Sequence, residues 1–179
     1  MYPGAMTRLA LVRRSGFFAT PLAVAKYDNW PWALEPFFHL YVCRLASDGA
    51  AAVLVVAADR AKDFPRNPAY LLGAVQGCDH RSAAPVHNMP GYDSSHFRSL
   101  APRLYHMAKL GPADMEIVQC YENFTGCVLM SLVEHGLVKA EEANEFLVKE
   151  NLIAPNGRMP LNTSGGNLAE CYMHGLELV

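Results

Sequence analysis

Two stretches of this 179-residue chain gather side chains that can move protons or hold anions, and each lies where an extended run gives way to a helical one. The first is Cys120-Tyr121-Glu122-Asn123-Phe124-Thr125; the second runs from Asn162 through Gly165 and Gly166 to Tyr172 and His174. Polar side chains at the carboxyl end of a strand sit where open α/β sheets bind their ligands. A glycine pair lets backbone N–H groups approach a ligand closely and point at an anion. On the residues alone, each stretch is either such a site or a capped turn.

Other chemistry is weaker. Cys78-Asp79-His80 with His87 nearby could hold a metal, but the spacing matches no standard zinc pattern and reads better as a polar loop. Cys120 and Cys127 lie in apolar surroundings, where a thiol is usually a small core side chain with a raised pKa. The chain has no GxGxxG, no GxxxxGK[ST], no HExxH and no GxSxG. No metal site is expected.

The elements that must carry these residues alternate between strand and helix. Ser47-Asp48-Gly49 is a turn leading into Ala50–Ala57, an apolar run that reads as a buried strand. Asp59–Phe64 reads as a short helix ended by Pro65, and Tyr70–Val75 as a second strand. Ser94–Leu110 is an amphipathic helix closed by Gly111-Pro112, and Met115–Tyr121 is a third strand. Asn123–Leu137 has apolar residues on every side, so it predicts a helix buried all round, as in a middle layer between two sheets. Lys139–Asn151 reads as an amphipathic helix, and Asn167–Leu178 can start a last one. This alternation predicts an α/β fold.

Composition bounds the rest. The chain is 51% hydrophobic and 18% charged with a formal net charge of −2, which suits one globular domain and argues against a nucleic-acid binder. The longest purely apolar run, Ala50–Ala58, is nine residues, short of the roughly 20 needed to span a bilayer. Five cysteines without a CxxC pair fit a reducing, cytoplasmic setting. Arg13-Arg14 before Phe17-Phe18 faintly resembles a twin-arginine export signal, but Pro21 interrupts the weak apolar stretch. Asn123-Phe124-Thr125 and Asn162-Thr163-Ser164 fit the glycosylation pattern, without meaning in a cytoplasmic chain.

From about Ser47 to Val179 the chain resembles the C-terminal half of the thiolase superfamily. The resemblance is carried jointly by Ser47-Asp48-Gly49-Ala50-Ala51-Ala52, by Tyr121-Glu122-Asn123-Phe124-Thr125 with the apolar helix after it, and by Pro160-Leu161-Asn162-Thr163-Ser164-Gly165-Gly166. It implies the second half of an αβαβα sandwich whose central layer is helices between two sheets. Residues 46–179 would then form a truncated thiolase-like C-terminal domain behind a poorly readable segment 1–45, incomplete at both ends.

Departures from standard thiolases carry the functional expectation. Thiolases have Asn-Glu-Ala-Phe, or His-Asp-Cys-Phe, where this chain has Tyr121-Glu122-Asn123-Phe124, and Gly-His-Pro where it has Cys171-Tyr172-Met173. The tyrosine pair resembles the thiolase-like lipid-transfer-protein aldolases of bacterial steroid side-chain breakdown. That resemblance implies retro-aldol cleavage of a β-hydroxyacyl-CoA, with acyl-CoA as substrate and no further cofactor. It implies Tyr121 and Tyr172 as the catalytic pair, with Glu122, Asn123, Gly165 and Gly166 as substrate-binding or supporting residues. It also implies a small partner with an OB-fold and a zinc ribbon, alongside self-association or a missing thiolase half; neither nucleic acid nor membrane is expected. The rival expectations are a thiolase-type acyltransferase whose Cys comes from another chain, and a non-catalytic acyl-CoA-binding fragment. Ionising an ordinary phenol at pH 7 costs about 4 kcal/mol, so a tyrosine serves more naturally as proton donor unless its site assists it.

Overall fold

In the computed structural model, the described residues are 29–36, 38–40, 43, 47–79, 94 and 96–179. The twin-arginine stretch, His80 and His87 lie outside them. Among the described residues a short antiparallel hairpin, β1 (Trp32–Leu34) and β2 (Phe38–His39), comes first, in register Trp32 to His39 and Leu34 to Phe38. Its rings stack, Trp32 on His39 at 3.7 Å between centroids. A 3-10 turn over Ala58–Asp63 stands where a short helix is expected and ends before Pro65.

Helix α1 (Phe97–Ala108) follows from the amphipathic pattern, although its stop differs from expectation. The chain leaves the helix at Lys109, at φ 56°, two residues before Gly111. Its start is capped from outside. The Phe97 amide donates to Glu134 Oε2 at 2.7 Å, placing a carboxylate at the positive end of the helix. Tyr105 Oη donates to the His135 carbonyl at 2.9 Å, and the Phe97 and His135 rings lie 4.6 Å apart. These contacts fasten α1 to the end of α2 (Thr125–Glu134).

The core forms around α2. Val128 and Leu132 have no exposed surface and pack with Val118, Cys120, Val138, Leu147, Leu152, Met159 and Leu161. The segment leading into α2 runs parallel to residues 159–162 and bonds through Val118 N to Pro160 O (3.0 Å) and Asn162 N to Val118 O (2.9 Å). Two short helices, α3 (Ala143–Phe146) and α4 (Lys149–Leu152), close one side. The chain then turns into α5 (Gly166–Ala169) and a final 3-10 turn, Leu176–Leu178.

Several expectations are corrected. Ala50–Ala57 and Tyr70–Val75 form no strand, because no described residue offers them a hydrogen-bonded ladder; Leu54, Val55 and Leu71 are 73%, 81% and 81% exposed. Met115–Tyr121 keeps only the single bridge Val118–Leu161. The single helix over 139–151 is broken at Leu147-Val148, and the last helix stops after Ala169. Helix α2 is covered on one side: Leu129 is exposed and Cys127, Met130 and Val133 are half-buried.

Candidate active site

The two chemistry-bearing stretches meet. Asn162, fully buried and at φ 47°, clasps the strand-end segment in both directions: its Oδ1 accepts from Cys120 N at 2.7 Å and its Nδ2 donates to Cys120 O at 3.0 Å. This two-bond pairing copies a strand partner with a side chain, so the backbone just before Tyr121 is held where the ladder ends. Burial also shields Asn162 from any glycosylating enzyme.

A second clasp lies one step further on. Glu122 has no exposed surface; its Oε1 accepts from Leu168 N at 3.1 Å and its Oε2 from Asn167 Nδ2 at 3.3 Å. Its carboxylate fills the space over Gly166, where a Cβ would collide with it. Gly166 sits at φ 61° and Gly165 at φ 99°, so both positions favour glycine for conformation as well as space. Burial pushes the Glu122 carboxyl up to about 7, against the pull of the Leu168 and Asn167 hydrogen bonds. Asn123 does different work, with its Oδ1 accepting from Phe124 N at 3.1 Å at the entrance to α2.

These clasps bring the tyrosines together. Tyr121 Oη donates to Tyr172 Oη at 2.7 Å, with ring centroids 6.2 Å apart. Tyr172 N donates to Ser47 Oγ at 2.8 Å, tying the pair to the Ser47-Asp48-Gly49 turn. Beside them opens a cavity of about 650 Å³, lined by Ser47, Asp48, Gly49, Tyr172, Met173 and His174 among others. Tyr121 is 38% exposed and Tyr172 half-buried, so the hydroxyl pair stands at the margin of solvent while its braces are sealed.

This chain belongs to the thiolase C-terminal domain-like family. The family model matches residues 76–178, more than half the sequence, and the fold is accordingly the α/β thiolase-like C-terminal type. The domain is 36% identical over 170 residues to a steroid side-chain-cleaving aldolase of Thermomonospora curvata, covering 92% of this chain and 42% of that protein. It is 34% identical to the 17-hydroxy-3-oxo-4-pregnene-20-carboxyl-CoA lyase of Mycobacterium tuberculosis, covering 90% and 42%. An acetyl-CoA acetyltransferase of Methanothermobacter thermautotrophicus is 26% identical, covering 83% and 38%. The solved Ltp2-ChsH2(DUF35) aldolase superposes with a TM-score of 0.91 at 31% identity, covering 99% of this chain and 47% of that one. The thiolase-like domain thus spans about two fifths of the length of the curated relatives it matches.

Three thiols near the site are poorly placed for nucleophilic work. Cys120 is 4% exposed and burial raises its thiol to about 11, with the Ser131 hydroxyl 3.6 Å away. Burial also raises Cys127, and Cys171 is raised by burial and by the Glu170 and Glu177 carboxylates. Asp79 accepts from Ser99 Oγ at 2.5 Å and lies 3.6 Å from His96 Nδ1, which occupies it with polar neighbours on α1. Asn162, Asn167 and His174 lie in the second stretch and Ser47 in the family-like Ser47-Asp48-Gly49 turn, but reading the sequence gave none of them a role in the site. Only the position of His174 two residues after Tyr172, and of Asn162 before the glycine pair, could have signalled them.

Proposed function

We propose that this domain is the C-terminal part of a carbon–carbon lyase that cleaves a β-hydroxyacyl-CoA by a retro-aldol reaction. The observation that carries this reading is the 2.7 Å contact between Tyr121 and Tyr172 at the edge of the cavity. Similarity to two proteins named as a steroid side-chain-cleaving aldolase and a carboxyl-CoA lyase supports it, and favours a steroid side chain as the acyl group.

The reaction asks for removal of the β-hydroxyl proton, stabilisation of the enolate on the thioester oxygen, and a proton for the α-carbon. Two phenols in contact suit this sequence. One can take the substrate's proton as it passes its own on to its neighbour, and the hydroxyl pair can donate a hydrogen bond to the oxygen that gains charge. Glu122, Gly165 and Gly166 support the pair by holding the two loops in register, and Asn123 supports it by fixing the entrance to α2. No acyl-enzyme is needed, in keeping with the raised thiols. The remaining part of a thiolase-like fold and a small OB-fold/zinc-ribbon protein are the proposed partners; the structural relative is itself named as a complex. Five free cysteines support a cytoplasmic setting. No helix among the described residues is long and apolar enough to cross a membrane.

The experiment combines the chain, the missing half and such a partner with a tertiary β-hydroxyacyl-CoA. Formation of a ketone and a shortened acyl-CoA supports the lyase. Acyl transfer between thioesters without ketone formation favours the acyltransferase reading, which the 26%-identical acetyl-CoA acetyltransferase keeps as the alternative.

A further inference from the structure

Tyr172 is engaged on both sides. Its hydroxyl accepts from Tyr121 at 2.7 Å and lies 3.4 Å from Nδ1 of His174, whose ring tilts at 46° with its centroid 4.7 Å away. The turn presenting His174 is closely built. His174 takes φ 56°, a conformation that a non-glycine residue adopts only when its surroundings enforce it, and Gly175 follows at φ 97°. The Glu177 carboxylate, only 7% exposed, enforces it by accepting from Met173 N at 3.0 Å and from Gly175 N at 3.0 and 3.1 Å. The backbone on both sides of His174 is thereby gripped by one buried side chain.

We propose that His174 is a positioning residue that terminates a proton chain Tyr121–Tyr172–His174 and accepts the proton that retro-aldol cleavage releases. The proposal rests on the lyase reading above and deepens it. In the step, the substrate β-hydroxyl gives its proton to Tyr121 Oη as Tyr121 gives its own to Tyr172 Oη and Tyr172 gives its own to His174 Nδ1. The Cα–Cβ bond then breaks, its electron pair becoming the enolate and the β-carbon becoming a carbonyl. The proton held on His174 returns through the same chain to the α-carbon, so the residues end as they began. Both phenols stay neutral before and after transfer. An imidazole nitrogen is a better proton acceptor than a neutral phenol oxygen, so the chain ends on the group suited to hold the proton.

The titratable groups around His174 are Tyr172 in contact, Tyr121 behind it, Asp48 on the wall of the same cavity, and Glu177 on its own turn. Glu177 is committed to two amides of that turn, and Asp48 lines the same cavity as His174.

Two measurements test the proposal. In the active assembly, His174→Gln should lower kcat by about 10²-fold or more and remove the acid limb of its pH profile, with KM kept within about threefold. His174→Ala should regain rate when imidazole is added. A kcat near wild type, or an unchanged acid limb, would overturn the proposal. The second readout needs no activity: nitrogen NMR of the 179-residue chain should show His174 Nδ1 as an unprotonated acceptor whose resonance moves on Tyr172→Phe. A protonated Nδ1 at neutral pH, or a resonance indifferent to that change, overturns the proposal by itself. Absence of lyase activity from the wild-type assembly would instead sink the lyase reading and leave the NMR result to decide the contact.

Discussion

Around Glu122 the chain closes on itself, and along Val53–Val55 and Tyr70–Leu72 it does not. In the first region a carboxylate, two carboxamides and a glycine pair interlock, all buried, and each hydrogen-bonding atom of Glu122 and Asn162 finds a partner from a loop some 40 residues away. In the second, Val53, Leu54, Val55, Tyr70, Leu71 and Leu72 are all more than half exposed, and no described residue pairs with their backbone. The contrast shows where this domain stores its specificity. Polar side chains with long-range partners within the chain fix the junction of the two loops, whereas the apolar extended segments are left uncovered by the described residues.

The sharpest break of this contrast is chemical. Tyr172→Phe in the active assembly removes the hydroxyl that Tyr121 contacts and should cost 10²- to 10⁴-fold in rate, the range for general acid–base catalysis. Stability should change little, because the phenol stands at the margin of solvent; an unchanged rate would make the tyrosines packing residues.

The clasp itself breaks through Gly166→Ala. The new methyl collides with Glu122 and the residue must keep a positive φ, so strain and overpacking together should cost about 2–5 kcal/mol in denaturant unfolding. A neutral effect would show that Glu122 can leave its place freely.

Glu122 also predicts a pH dependence. Its folded carboxyl titrates near 7 against an ordinary 4.5, so between these values the folded state keeps a proton that the unfolded state has released. Stability from this group is therefore complete below about pH 4.5 and falls by about 3 kcal/mol as pH rises through 7. Glu122→Gln should remove that slope when the two chains are compared by urea unfolding across the range. Parallel curves would mean that the carboxyl is ionised without penalty in the fold.

On the other side of the contrast, Leu54→Lys and Leu71→Lys should change the stability of the chain by less than about 0.5 kcal/mol, since both side chains already lie in water. Light scattering should nevertheless show less self-association. A large loss of stability would reveal contacts along these segments. The smallest effect is expected at the thiols: intact mass after incubation with acyl-CoA should show no adduct on Cys120, Cys127 or Cys171, all of which have raised pKa values.

The helix 97–108 was legible from its amphipathic pattern and the core helix 125–134 from a run apolar on every side, because their hydrogen bonds are local and only their faces depend on the rest of the protein. The strands at 50–57 and 70–75 carry the right residues and form no ladder, because a strand's hydrogen bonds belong to its neighbour and cannot be read from its own composition. In the same way, the gathering of polar residues at Tyr121–Thr125 and Asn162–Tyr172 is visible along the chain, and family resemblance singled out the two tyrosines. That Asn162 and Glu122 seal the two stretches against each other, and that Tyr172 lies between Tyr121 and His174, emerges from the packed chain alone. Those contacts join residues some 40 to 50 positions apart or depend on left-handed backbone turns, and their geometry exists only after the core around Val128 and Leu132 has brought the two loops together.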